Sequence, residues 1–115
     1  MTEYFVIEWR DDNKRTEFMI KPVFENWEKY KRMYMDERSG SYNILMARLM
    51  GLRFADYLRF VRDSMGAEIR GKGSIYCYPV FPASSANVVQ DFLNDVNELV
   101  SRSFKMVEAN DNKPT

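Results

Sequence analysis

The stretch ILMARLMGLRFADYLRFVR, residues 44–62, decides how the chain is put together, because two helical patterns meet there at one glycine. Ala47 lies four residues before Gly51, and Leu52 follows the glycine directly. A small residue one turn before the corner lets two helices approach closely. Glycine at the corner can take the positive φ that ends a helix and turns the chain. Met46 and Met50 before the corner, and Tyr57 and Phe60 after it, have the size to fill the angle between the helices. The spacing predicts a first helix over 42–50, with Ser41 as its N-cap, and a second over 54–65 ended by Gly66. Asn43 and Arg48 are the strongly polar residues of the first, so that helix is expected to be buried on most sides.

Upstream, YFVIEW (4–9) and TEFMIK (16–21) alternate so that Phe5, Ile7 and Trp9, then Phe18 and Ile20, share faces. With turn-forming Asp11, Asp12, Asn13 and Lys14 between them they read as a β-hairpin closed by Pro22. Phe24, Trp27, Tyr30 and Tyr34 recur at three- and four-residue steps and predict a helix over 24–37. Downstream, residues 67–71 and 74–81 are strand-like and flank Lys72 and Gly73 at a hairpin tip. Pro79 is expected at an edge or a strand end. Val88, Val89, Phe92, Val96, Leu99, Val100 and Phe104, with Leu93 beside them, give the last helix, 86–105. Ser84 or Ser85 is its expected cap, and a disordered tail is expected over 108–115. The fold class is α+β, in a single domain over 1–107.

Composition limits the chemistry. There is no histidine, which removes the commonest general base and metal ligand, and the lone Cys77 can form no internal disulfide. Cys77 is expected as a small buried hydrophobe. GKG at 71–73 is a turn, since the phosphate-binding GxxxxGK[ST] pattern is lacking. No cofactor, no metal and no catalysis are expected. The opening MTEYFVIEWRDD has neither a basic segment nor a long apolar one, so no signal peptide is expected. No stretch approaches the ~20 apolar residues of a membrane span. A cytoplasmic location without membrane contact is the expectation. Seventeen basic residues balance seventeen acidic ones overall. Residues 41–82 nevertheless carry six basic (Arg48, Arg53, Arg59, Arg62, Arg70, Lys72) against three acidic (Asp56, Asp63, Glu68), a local +3.

The Ala47–Gly51–Leu52 corner with Tyr57 and Phe60 resembles that of helix-turn-helix DNA-binding proteins, and the strand pair after it is in the order of a winged helix. That resemblance covers about twenty residues and implies a helix over 54–65 lying in a major groove of double-stranded DNA. Arg53, Arg59 and Arg62 would read bases, while Arg70 and Lys72 on the wing would touch phosphates. Tyr57 departs from the family, which has a smaller aliphatic residue there. GLRFADYLRFVRDSMGAEIRGKG also looks like small phage proteins, which implies instead a protein-interaction module acting on a host protein.

Several ambiguities stand beside this. Arg59 lies three residues after Asp56 and four before Asp63, at surface-pairing distance. Phe54, Leu58, Val61 and Met65 form an apolar stripe as good as Tyr57 with Phe60, and if that stripe faces the core Phe60 is left outside. Asp91, Asp95 and Glu98 line one side of the last helix, as a solvated face or as a surface for a basic partner. The apolar stripe of that helix offers a route to a homodimer. Tyr76 and Tyr78 are read as packing residues or as base-stacking ones, and the eight methionines as core filling or an adaptable surface.

Overall fold

The computed structural model describes residues 3–12, 15–34, 42–71 and 77–111. Strands β1 (Tyr4–Asp12) and β2 (Arg15–Val23) are followed by helices α1 (Trp27–Tyr34), α2 (Tyr42–Leu49) and α3 (Phe54–Met65). Strands β3 (Glu68–Arg70) and β4 (Tyr78–Pro82), a 3-10 turn (Ala83–Ser85) and the long helix α4 (Ala86–Asp111) complete the order. The fold is α+β, as the patterns predict, with a four-stranded antiparallel sheet in the order β1-β2-β4-β3.

The N-terminal hairpin is longer than its alternation suggests. Asp11 and Asp12, read as turn residues, continue β1 and pair with Thr16 and Arg15. Asp11 also accepts a hydrogen bond from the Thr16 hydroxyl at 3.0 Å. Pro22, expected to close β2, sits within it opposite Phe5. One face of the hairpin carries Phe5, Phe18 and Ile20 into the core, and α4 crosses this face at β1. There the Asn97 amide accepts from the Phe5 backbone N–H at 2.8 Å and donates to the Phe5 carbonyl at 3.0 Å. A side chain thus makes the two bonds that a neighbouring strand would make, which occupies this position on the sheet edge.

The corner between α2 and α3 forms as its residues dictate. The Gly51 N–H donates to the Arg48 carbonyl at 3.0 Å and the Leu52 N–H to the Ala47 carbonyl at 2.9 Å. This is the Schellman arrangement, with Gly51 at φ 73°. Ala47 is buried and Leu52 packs against the core. The α3 helix spans the predicted residues and ends at Gly66, φ 71°, whose N–H donates to Arg62 at 3.2 Å. Of the two competing apolar stripes on α3, the core takes Tyr57, Val61 and Met65, with Phe54 and Leu58 half-buried. Tyr57 is completely enclosed, and its hydroxyl donates to the Asn43 Oδ1 at 3.1 Å. Phe60, expected inside the corner, is exposed and leans on Phe92 of α4, ring centres 5.8 Å apart. The reason is angular: Phe60 lies about 100° back from Val61 around the helix, and Tyr57 already fills the corner.

Other boundaries shift. Phe24 precedes α1 rather than starting it and packs edge-on against Phe5, Trp27 and Phe104. The β3 and β4 strands do pair, Ile69 with Pro79, yet β4 is an inner strand because Phe81 and Pro82 also meet Phe18 and Glu17 of β2. Pro79, expected at an edge or a strand end, is the second residue of β4 and is tolerated there because the β2 pairing starts beyond it. Cys77 is buried, as expected for a small hydrophobe. Ser85 does not cap α4. Its hydroxyl donates to the Met65 carbonyl at 2.6 Å, tying the end of α3 to the start of α4. The core stripe of α4 is Val89, Leu93, Val96, Val100 and Phe104, with Leu93 central and Val88 outside it. The helix continues to Asp111, so residues 108–111 extend it instead of beginning a tail. The expected cap Ser41, the tip residues Lys72 and Gly73, and Tyr76 lie outside the described residues.

Two substitutions test the corner. Tyr57→Phe removes a buried hydrogen bond and is expected to cost about 1–3 kcal/mol, read as a lowered urea midpoint with an unchanged slope. Gly51→Ala meets no atom within 4 Å, so its cost is conformational, about 1–2 kcal/mol. A midpoint unchanged in both variants would contradict this account of the corner.

Candidate nucleic-acid or protein interface on α3 and β3

The solvent side of α3 carries the arginines that the sequence singles out, and each has a carboxylate beside it. Asp56 holds two of them: Arg53 Nε at 3.3 Å and Arg59 Nη1 at 3.2 Å. Asp63, which the sequence offers equally to Arg59, instead takes Arg62 through Nε at 2.8 Å and Nη2 at 3.3 Å. That two-point contact keeps the Asp63 carboxyl below the usual carboxylate range and raises the Arg62 guanidinium above its ordinary value. These contacts are on the surface, where side chains of this length hold one another weakly, typically about 0.2–1 kcal/mol. They orient charge more than they stabilise the fold.

Arg70 has a different setting. Its Nη2 lies 2.9 Å from the Glu17 Oε2, and its Nε lies 3.6 Å from Glu68. Glu17 is buried, with 6% of its side chain exposed, while Arg70 keeps 25%. Burial disfavours the Arg70 charge, yet the Glu17 and Glu68 carboxylates outweigh it and raise its pKa. The pair reaches across β4, from β2 on one side to β3 on the other, at the base of a cleft of about 370 Å³ that includes Arg15 and Pro82. Arg70, expected to contact phosphate from a wing, is engaged here by Glu17 and Glu68 instead of standing free. The reason is the β2–β4 pairing, which brings a carboxylate 53 residues away in sequence to its guanidinium.

Between α3 and β3 runs a groove of about 460 Å³ lined by Ala55, Leu58, Arg59, Arg62, Ala67, Glu68 and Ile69. Its floor is apolar and its rim carries two arginines and a glutamate. The structure thus brings Arg59 and Arg62 together beside β3 and leaves Arg53 at the N-terminal end of α3. Lys72 lies outside the described residues. Of the corner residues, Ala47, Gly51, Leu52 and Tyr57 are architectural, whereas Phe60 is on the surface. The sequence reading missed Glu17. It was legible as a charged residue between strand positions, but its burial follows from a strand pairing that no local pattern announces. Asp91, Asp95 and Glu98 are all exposed along α4.

The chain matches no known family model, curated protein or solved structure.

The Glu17–Arg70 pair makes a prediction that the surface pairs do not. Glu17→Ala leaves Arg70 half-buried without its main partner and is expected to destabilise by about 1–3 kcal/mol. That is less than the 3–5 of a fully enclosed pair, because Arg70 keeps water contact. Asp63→Ala, on the surface, is expected to leave the melting temperature essentially unchanged. Thermal melts of the two variants check this, and equal shifts would refute the distinction.

Proposed function

We propose that the protein is a non-catalytic binding module whose working surface is the α3–β3 groove, and that its partner is a protein segment. One observation carries this reading. Arg53, Arg59, Arg62 and Arg70 are matched four for four by Asp56, Asp63, Glu68 and Glu17, so each of these arginines already touches a carboxylate. A surface built for phosphates carries uncompensated cations, because neutralising phosphates and releasing their counterions supplies most of the binding. A groove with an apolar floor of Ala55, Leu58, Ala67 and Ile69 and a rim of both signs suits a peptide that buries an apolar side chain and meets the rim with its own charges. A host protein bound by a small phage-encoded regulator is one setting of this kind.

A second reading has an observation of its own. Strand β4 pairs with both β2 and β3 beside α3, an order of elements compatible with a winged helix. In that reading α3 enters the major groove of duplex DNA and Arg59 and Arg62 swing from their carboxylates to reach it. The two readings differ in what the carboxylates do. If DNA is the partner, Asp56 and Asp63 oppose binding, and Asp56→Asn with Asp63→Asn is expected to tighten it at low salt, with affinity falling steeply as salt rises. If a protein segment is the partner, duplex DNA at micromolar protein and low salt shows no shift for the native chain, and Leu58→Lys in the groove abolishes capture of the cognate segment selected from a peptide library. A DNA shift by the native protein that Arg59→Ala with Arg62→Ala removes would overturn the protein reading.

A further inference from the structure

The α4 helix carries two apolar faces. The first is the core stripe of Val89, Leu93, Val96, Val100 and Phe104. On a projection of 100° per residue the second, Val88, Phe92, Leu99 and Met106, falls within about 40° and lies roughly 100° from the first. Its members are not covered: Val88 is 47% exposed and Met106 67%, Phe92 and Leu99 are partly exposed, and Phe60 of α3, 37% exposed, widens the stripe beside Phe92. From Val88 to Met106 the stripe extends about 27 Å along the helix axis, a long apolar surface for a chain of this size.

We propose that this stripe is the seat of a second copy of the chain, whose α4 lies antiparallel across it. The charges along the border of the stripe select that occupant. On the side turned from the core, the N-terminal half is bordered by Asp91 and Asp95 and the C-terminal half by Arg102, all three exposed. Arg102 makes only a loose contact in its own chain, 3.7 Å to Glu98, with 72% and 74% of the two side chains exposed. Turning a second α4 end for end about a point between residues 98 and 99 brings the Arg102 of each copy level with Asp95 of the other, one turn from Asp91. Leu99 then faces Leu99 near the axis. A parallel arrangement would instead set acid on acid and arginine on arginine. A surface that is acidic at one end, basic at the other and apolar between is complementary to itself turned over, as a two-fold interface requires. The inference does not rest on the α3–β3 groove, with which the stripe shares no residue.

Sedimentation of the full chain from low micromolar to several hundred micromolar tests it. The expected mass rises from that of one 13.7 kDa chain to that of two. Leu99→Glu is expected to hold the protein at one chain throughout. The exposed charges supply a test independent of folding: Asp95→Arg and Arg102→Asp are each expected to weaken association by about tenfold or more, and the double variant to restore it to within about threefold of the native chain. A mass of one chain at every concentration overturns the proposal. So does a dimer that survives Leu99→Glu, or a double variant as weak as either single one. Association that appears only with some other protein, and never with the chain alone, overturns it as well.

Discussion

The joint between α2 and α3 constrains everything that follows it. Two backbone hydrogen bonds, from Gly51 to Arg48 and from Leu52 to Ala47, close the first helix and aim the second. They form because glycine accepts φ 73° without cost and because alanine, one turn earlier, leaves room for the next helix. Tyr57 then fills the angle, and its burial drives its hydroxyl pKa well above the ordinary range. Neutral at any physiological pH, that hydroxyl serves as a donor to Asn43. Two polar side chains, one from each helix, thus meet inside an apolar core, which helps Asn43 to be buried.

Once α3 is aimed, its C-terminus fixes the rest. Gly66 reverses the chain into β3, and Ser85 reaches back from the turn before α4 to bond the Met65 carbonyl. The end of one helix and the start of another are held together by one hydroxyl. β4, between them in sequence, is pressed against β2, and so the C-terminal half of the chain joins its sheet to the N-terminal hairpin. The Asn97 amide on the Phe5 backbone closes the other side of that union. The sheet, α3 and α4 are therefore interdependent, although adjacent in sequence only in pairs.

The electrostatics follow from the same geometry. Between residues 41 and 82 the sequence is basic, and taken alone it suggests an anion-binding surface. Tertiary pairing changes how those charges are presented, because Glu17 arrives from β2 to take Arg70, and Asp56 and Asp63 are shared out among the three arginines of α3 and its N-terminal end. Local charge balance overstated what the surface presents. What remains between α3 and β3 is a groove with apolar residues and a rim of both signs, whose two arginines are already engaged by Asp56 and Asp63.

What the sequence determined by itself is whatever depends on local periodicity and on glycine. The span of α3, both helix-ending glycines, the hairpin strands, four members of the α4 core stripe (Val89, Val96, Val100 and Phe104) and the burial of Cys77 are all consequences of spacing within about one or two turns or of side-chain size. Tertiary structure decided what spacing left balanced. On α3 two apolar stripes of equal quality competed; the corner could hold one large ring, Tyr57 took it, and Phe60 was turned out against Phe92. Asp63 stood within reach of two arginines and took the nearer geometry. Pro79, expected at an edge or a strand end, lies near the start of an inner strand, two residues before the β2 contact begins. Arg70 looked like a phosphate ligand and became the partner of a buried glutamate two strands away in the sheet. In each case the deciding partner lies on another element, or competes with a neighbour on the same one, and the free energy of packing and desolvation at that contact exceeds any preference written in the local sequence.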